Sequence, residues 1–407
     1  MKQSDPFSGY QIGLTSIIAL IQFSVVVDFM VLSPLGTFVM EDLSLQPNQF
    51  SLVVSGYAFS AFVSAIATAG FADRFDRKKM LVFFFSGFIL GTLFCALSTS
   101  YWTLLLARVI TGLFGGVISS ISYAIITDLF AVNQRGRVMG FVQMAFGISQ
   151  IVGIPLGLYL TQLVDWHLPF YVIVGFALCL LVTILVVMKP VRGHLQAATD
   201  RPKALDHFLH IFKTKRYLNG FLATALLTTG GYMLMPFGSD FAVQNLKLTP
   251  EQLPLLYMAT GIFTFMTGPL AGVLSDKFGR YSLFIAGTVI SLIIVLVYTR
   301  LGASELWMVI ALNVVLFVGI TFRIVPAQTM MTQIPAAVDR GAFMSINSAV
   351  QQLSGGIAST IAGMIVYKSA DGSIQNYPVL GMVVAVTMII AMLLMGRVHR
   401  MLQRTNT

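Results

Sequence analysis

Long apolar runs separated by short polar segments fill the chain of 407 residues. A helix needs about 20 predominantly apolar residues to cross the hydrocarbon core of a membrane. Twelve runs are of about that length, which predicts an all-α membrane protein with twelve transmembrane helices. Their approximate bounds are 13–36, 50–72, 79–98, 101–127, 138–161, 169–189, 217–242, 252–275, 281–299, 305–329, 342–367 and 377–396.

The composition excludes several classes of protein. Charged residues make up only 10% of the chain and hydrophobic residues 57%, whereas about a quarter of a soluble domain is charged. An ordinary soluble enzyme, a disordered regulator and a secreted disulfide scaffold are therefore excluded. The two cysteines, Cys95 and Cys179, both lie in apolar runs, where we interpret them as small buried hydrophobic residues.

The basic residues are divided unevenly between the two ends of the predicted helices. If the N-terminus is cytoplasmic, 20 of the 25 Lys and Arg residues fall on the cytoplasmic side, two fall within the spans, and only Lys247, Arg300 and Lys368 fall on the outer side. Cytoplasmic loops are enriched in Lys and Arg. The distribution therefore predicts a multi-pass protein of the cell inner (plasma) membrane with both termini in the cytoplasm.

The chain contains a duplicated pattern. Asp73 after the second run is matched by Asp276 after the eighth, 203 residues later, and Arg135 is matched by Arg340, 205 residues later. Internal repeats of this kind are typical of secondary transporters, whose binding site lies where the repeats meet. We expect three parts: an N-terminal six-helix bundle, a basic cytoplasmic linker, and a C-terminal six-helix bundle with a short cytoplasmic tail, with bounds 1–189, 190–216 and 217–407.

Four segments resemble the major facilitator superfamily of transporters. Ala69–Lys78 is similar to its signature in the loop between helices 2 and 3, and Leu105–Gly112 resembles its helix 4 signature with an embedded arginine. Gly153–Gly157 resembles the helix 5 signature of the twelve-span drug:H⁺ antiporter and sugar-efflux branch, and Asp165–Phe170 resembles the entry to helix 6. The resemblance implies two pseudo-symmetric bundles around a central cavity that opens alternately to each side of the membrane.

Asp28 is the acidic residue that lies deepest in a predicted span. A charge at such depth costs at least ~2.5–3.5 kcal/mol on insertion scales, so it usually faces a cavity and serves function. Arg108 in the fourth span lies at a similar depth, which permits an ion pair. We predict that Asp28 and Arg108 couple transport to protons; the alternative is a fixed ion pair that only locks the packing of the helices.

Other polar residues in the spans are candidates for substrate binding. Arg323 in the tenth span could contact an anionic or polar group in the cavity, or its head could reach the headgroups of the inner leaflet. Asp240 lies near the end of the seventh span and is interpreted as a boundary residue. The predicted substrate-binding residues are Asp28, Arg323, Tyr123, Tyr232 and Asn313.

The charged loops after the second and eighth spans are candidates for a conformational latch. By the resemblance, Asp73 and Asp276 lie against the first turn of a helix of the opposite bundle, where the helix dipole favours a carboxylate by roughly 0.3–1 kcal/mol. Arg74, Arg77 and Arg280 would complete these charge clusters. The alternative is that the charges only set the membrane topology.

These observations predict a proton-coupled secondary transporter that exports small drug-like or sugar-like molecules by alternating access. A proton-coupled importer of a small metabolite is the alternative; a membrane-embedded lipid enzyme and a non-transporting receptor are less favoured. The sequence has no P-loop, no metal-ligand spacing and no catalytic constellation, so we expect no enzyme activity and no cofactor. Expected partners are the substrate, protons and membrane lipids, without nucleic acid, and the protein is expected to be a monomer.

Overall fold

The computed structural model describes residues 7–69, 75–192, 211, 214–336 and 339–406. The described chain is almost entirely helical, with one short antiparallel β-hairpin. The helices are α1 (Gly9–Val31), α2 (Gly36–Asp42), α3 (Pro47–Ala69), α4 (Arg77–Ala96), α5 (Tyr101–Leu129), α6 (Val132–Ile148), α7 (Ile154–Leu163), α8 (Leu168–Val187), α9 (Lys215–Leu234), α10 (Gly238–Gln244), α11 (Leu253–Phe278), α12 (Arg280–Tyr298), α13 (Leu306–Met331), α14 (Arg340–Ile365) and α15 (Tyr377–Asn406).

Eleven helical segments of the described chain are long and apolar enough to cross a membrane. Helix α14 has 26 residues, about 39 Å at 1.5 Å per residue, which is also enough to cross. It is less apolar than the others because it carries Asn347, Gln351 and Gln352. The predicted all-α fold of twelve transmembrane helices is confirmed.

Prolines interrupt three spans that the apolar pattern predicts as continuous. The chain turns at Pro34 between α1 and α2, so that α1 ends at Val31 rather than near residue 36. A π-helical turn, Ser149–Gly153, joins α6 to α7 immediately before Pro155. A 3₁₀ turn at Pro236 joins α9 to α10. Proline has no N–H to donate and clashes with the preceding turn, which breaks the regular helical bonding.

The two ends of the molecule differ. Strands β1 (Tyr367–Lys368) and β2 (Ile374–Gln375) form the antiparallel hairpin at one end, and Gly372 in its turn has φ +82°, a left-handed conformation that glycine adopts without steric cost. We call this end the hairpin face. The opposite end, where α4 begins and α8 ends, is called the basic face.

The surface around the helices carries many large apolar side chains. Large side chains such as Trp102 (72% exposed), Val186 (79%) and Met364 (76%) point away from the protein. In water such a surface would favour aggregation; in a bilayer it faces lipid chains.

The third membrane-spanning helix of each half, α4 or α12, begins at an equivalent position. These positions, Arg77 and Arg280, lie 203 residues apart, as the duplication in the sequence predicts.

Candidate functional site

A buried ion pair lies between the first and fourth spans. The carboxylate of Asp28 on α1 is fully buried, and its Oδ2 accepts a hydrogen bond from Nη1 of Arg108 on α5 at 2.8 Å. Its Oδ1 accepts a second hydrogen bond from Oγ1 of Thr92 on α4 at 3.0 Å. Arg108 is 1% exposed. The structure therefore forms the ion pair that the depths of the two residues permit.

Glycines allow the helices that carry this pair to approach closely. A Cβ added to Gly91 on α4 would lie 2.6 Å from the backbone nitrogen of Thr111 on α5. A Cβ added to Gly116 on α5 would lie 2.7 Å from Cα of Ala61 on α3. A side chain at either position would push the helices apart, so the glycines help to hold Arg108 within reach of α1.

Aromatic rings extend from the ion pair to the C-terminal half. The guanidinium carbon of Arg108 lies 4.8 Å from the centre of the Tyr57 ring, within the range of a cation–π contact. The Phe29 ring lies 5.0 Å from Tyr57 and 6.0 Å from Tyr232 on α9. Tyr232, a predicted substrate-binding residue, thus belongs to an aromatic cluster that joins the halves beside the ion pair.

Some polar residues at this site were missed by the sequence reasoning. Thr92 is one, and Gln22 is another: Gln22 is buried on α1, accepts a hydrogen bond from Ser119 at 2.8 Å and donates one to Ser122 at 3.3 Å. An uncharged polar residue in an apolar run is a weak signal, because Ser and Thr in helices often bond their own backbone. A glutamine within such a run was the stronger signal that could have found this network.

Arg323 on α13 is buried differently from Arg108. It is 4% exposed, and its Nε and Nη2 are buried without a hydrogen-bond partner. No ion pair to it exists among the described residues. Asn313 on the same helix donates to the carbonyl of Val309 at 3.3 Å, and Tyr123 on α5 is half-buried. The roles predicted for these three residues stay predictions.

The predicted latch residues are only partly described. Asp73 and Arg74 lie outside the described residues. Arg77 is buried and forms an ion pair at 3.2 Å with Asp128 of its own half. Asp276 is exposed and Arg280 is half-buried, and no ion pair to either occurs within the described part of the chain. The latch stays a prediction.

Asp240 is not the solvated boundary residue that the sequence suggested. It is fully buried on α10, and its Oδ2 lies 3.0 Å from Nζ of Lys368 on the hairpin. The apolar pattern could not show this contact, because the hairpin belongs to a distant part of the chain and folds back over the end of α10.

The two halves are joined at the hairpin face by four hydrogen bonds between described residues. They link Ser239 to the Ser33 carbonyl (3.1 Å), Gln162 to the Pro250 carbonyl (2.7 Å), Ser359 to the Ser51 carbonyl (3.4 Å) and Thr360 to the Ser55 hydroxyl (2.9 Å). Each pair lies near the hairpin-face ends of its helices. This face is therefore closed.

The chemistry available at the buried pair is proton exchange and anion pairing. A carboxylate can take up a proton, and a guanidinium keeps its charge and binds anionic groups. No cluster of three or more His, Cys, Asp or Glu that could hold a metal occurs among the described residues.

Comparison with known proteins identifies the family. The sequence model of the Major Facilitator Superfamily matches residues 18–237 and again residues 220–405. The chain belongs to the Major Facilitator Superfamily. The predicted family is confirmed, and this superfamily member is a multi-pass membrane transporter and not an enzyme.

Relatives of this superfamily member include transporters of several kinds. It is 24% identical over 372 residues to the uncharacterized MFS-type transporter YceJ of Bacillus subtilis, covering 90% of this chain and 93% of the relative. It is 22% identical over 247 residues to a probable sugar efflux transporter of Helicobacter pylori (60% and 62% covered). It is 29% identical over 125 residues to multidrug resistance protein 3 of B. subtilis (31% and 24% covered).

Solved structures share the fold. A bacterial homolog of the human lysosomal transporter Spinster, in an inward-facing and unoccupied conformation, aligns with TM-score 0.80 at 16% identity, covering 98% of this chain and 99% of that one. The nucleoside transporter NupG aligns with TM-score 0.75 at 13% identity, covering 94% and 98%. Both likenesses support the twelve-helix architecture of this superfamily member.

Proposed function

We propose that this transporter exports small molecules in exchange for protons, and that Asp28 is the residue that takes up and releases the proton. The observation that carries the proposal is the fully buried Asp28–Arg108 ion pair, which lies beside aromatic rings from both halves. Buried charges in membrane helices usually serve transport or proton relay.

Proton uptake at Asp28 changes the charge balance of the site. The proton binds at a carboxylate oxygen, neutralises the acid and weakens the hydrogen bond from Arg108. Substrate competes with the proton for the deprotonated form, so that arrival of one favours release of the other. Such mutual exclusion is a negative coupling between two ligands, and it acts equally in both directions.

The proposed direction of transport and the proposed substrate class are supported by the names of relatives and by features of this chain. The names of relatives include a probable sugar efflux transporter and a multidrug resistance protein, which favours export of sugar-like or drug-like molecules. The unequal distribution of Lys and Arg favours a cytoplasmic basic face, and thus cytoplasmic termini. We infer from the closed hairpin face that this conformation admits substrate from the cytoplasm, as expected of an exporter before it binds substrate.

The latch at the basic face belongs to the same proposal. When the basic face closes, Asp276 and Arg280 would meet charged and helix-end groups of the N-terminal half. Asp276 is exposed here, as expected of a latch residue in the conformation that is closed at the hairpin face.

The test is transport by purified protein in liposomes with an imposed pH gradient, across a panel of sugars and cationic drugs. Asp28→Asn keeps the size of the side chain but cannot exchange a proton. We expect it to lose uphill transport at least about tenfold, and any exchange of labelled for unlabelled substrate that remains, measured without a gradient, should no longer depend on pH. Asp165→Asn, an exposed change at the hairpin face, is the control and should transport normally.

Three outcomes would contradict the proposal. Undiminished uphill transport by Asp28→Asn would exclude Asp28 as the proton carrier. Exchange by Asp28→Asn that keeps the pH dependence of the wild type, in a variant that stays folded, would make the ion pair a fixed structural contact. Uptake that accumulates substrate along with protons, instead of against them, would replace the exporter with the importer.

A further inference from the structure

A groove lies at the basic face between the start of α4 and the end of α8. Its volume is about 490 Å³, and its walls combine the charged residues Asp76, Lys78, Lys79 and Arg192 with apolar ones. It lies on the exposed surface of the N-terminal half, away from the buried Asp28–Arg108 pair. The proposed transport mechanism does not use it.

The groove has an excess of positive charge. Its three cations and one carboxylate leave a net charge of +2. Although partial burial raises the pKa of Asp76, hydrogen bonds from Arg192 and from the N–H groups of Val191 and Lys78 outweigh it and hold that pKa below its ordinary value. The carboxylate is therefore ionised at neutral pH, and the excess of two charges remains.

The three basic side chains of the groove differ in whether they already have hydrogen-bond or ion-pair partners. Arg192 pairs with Asp76 at 2.9 Å, and Nζ of Lys78 donates to the carbonyls of Leu185 and Met188 at 2.9 and 2.6 Å. Lys79 is exposed and makes no hydrogen bond or ion pair within the described part of the chain. Its ammonium group is thus available to an anion from outside the protein.

The rest of the groove is suited to hydrocarbon. Phe83 lies one helical turn beyond Lys79 and is 63% exposed, and Leu185 on the facing helix is 51% exposed. These side chains continue the apolar surface that faces the membrane. A ligand bound here therefore meets positive charge at the level of the helix ends and apolar side chains immediately deeper in the bilayer.

We propose that this groove binds an anionic phospholipid. The phosphodiester would lie against Lys79 and the outer nitrogens of Arg192, because charge-assisted bonds from Lys and Arg are the strong ones for phosphate. The acyl chains would pack along Phe83 and Leu185. Basic pockets between transmembrane helices on the membrane surface are suited to acidic headgroups, and the apolar wall favours a lipid over free phosphate.

The test is native mass spectrometry of the purified, delipidated transporter in detergent, with dioleoyl phosphatidylglycerol or dioleoyl phosphatidylcholine added. We expect the anionic lipid to bind the wild-type protein more tightly. Lys79→Gln should weaken that binding about fivefold, the effect of one lysine near an anionic headgroup, and Lys79→Arg should restore it. Lys277→Gln removes an exposed lysine of the same face outside the groove and should have no effect.

Each alternative result overturns the proposal. Equal affinity for the two lipids, or equal loss in Lys79→Gln and Lys277→Gln, would mean that the groove does not select an anionic headgroup. Displacement of the lipid by glycerol phosphate at comparable concentration would show a site for a free phosphate, since the acyl chains would then contribute nothing. The unfolding midpoint of each variant, measured without lipid, separates lost binding from lost folding.

Discussion

At Asp28, two donors offset the cost of burying a carboxylate: the guanidinium of Arg108 and the hydroxyl of Thr92. Removing one member of a buried ion pair leaves the other as an uncompensated charge, which typically costs about 3–5 kcal/mol. Removing both charges avoids that penalty. The stability and the proposed chemistry of the site therefore depend on the same two residues.

A double-mutant cycle measures this dependence. We expect Arg108→Gln to lower the free energy of unfolding by roughly 3–5 kcal/mol, and Asp28→Asn to destabilise the protein as well. The double variant should recover part of the loss, because no buried charge then lacks a partner. Thermal unfolding in detergent provides the measurement, and strictly additive losses would contradict the expected coupling.

Replacing Arg323 is expected to affect stability in the opposite direction to replacing Arg108. Its Nε and Nη2 are buried without partners, and an unsatisfied buried donor costs about 1–3 kcal/mol. Arg323→Met should therefore leave the unfolding midpoint unchanged or raise it, while reducing transport of substrates, such as sugars, whose polar groups it contacts. Arg108→Met is the matched control and should lower the midpoint. A strong destabilisation by Arg323→Met would show that the structural role of this arginine outweighs substrate contact.

The charged residues of the site could be predicted from the sequence, whereas the neutral ones give weaker signals. Asp28 and Arg108 each interrupt an apolar run, which is a clear signal because charge in hydrocarbon is costly. Thr92 is a hydroxyl residue of a kind that often bonds its own helix backbone, so it gives little signal, and Gln22 is the stronger signal because it interrupts an apolar run. The sequence does not predict the burial of Asp240, because its partner Lys368 is distant in the chain and comes close only in the folded protein.

At the scale of elements, the apolar runs predicted where helices cross but not where they break. The runs around Pro34 and Pro236 stay apolar through the interruption, so hydropathy alone joins two helices into one. The close packing of α3 against α14 at the hairpin face was also hidden. There, a side chain added at Gly363 would collide with Ser51, and contacts between small residues leave no distinct pattern in a single sequence.

This packing predicts a reversible cross-link. The hydroxyl oxygens of Ser55 and Thr360 lie 2.9 Å apart, so cysteines at both positions are close to the spacing that a disulfide requires. Cys179 is exposed, not buried as the sequence suggests, so it is first replaced by Ser. In this Cys179→Ser background, oxidation of the Ser55→Cys/Thr360→Cys variant should hold the hairpin face closed and abolish net transport in liposomes. A reductant should restore it. Each single cysteine variant is a control and should be insensitive to oxidant, whereas full transport by the cross-linked protein would show that this face does not open.

At the scale of the whole molecule, the fold is duplicated but the chemistry is not. The third helices of the halves begin 203 residues apart, at Arg77 and Arg280, while the buried Asp28–Arg108 pair belongs to the N-terminal half alone. By the offset between the repeats, Asn313 occupies the position of Arg108. The two halves can thus move as similar bodies about a site whose ion pair one of them supplies.

The orientation of the whole molecule can be tested with cysteine labelling. In the Cys179→Ser background, Asp165→Cys at the hairpin face and Lys277→Cys at the basic face place single thiols at opposite ends. A membrane-impermeant maleimide added to intact cells should label the first and not the second, because the Lys and Arg distribution favours a cytoplasmic basic face. Both should react after permeabilisation, and the reverse pattern would invert the proposed topology.

The hydrogen bonds that close the hairpin face use hydroxyl, amide and carbonyl groups. Each is worth only about 0.5–1.5 kcal/mol net, and none depends on opposite charges. Dissolved salt weakens interactions between exposed charges, with a screening length of about 10 Å at 0.1 M. It should therefore have little effect on these uncharged hydrogen bonds. Opening of this face should require similar energy at high and at low ionic strength.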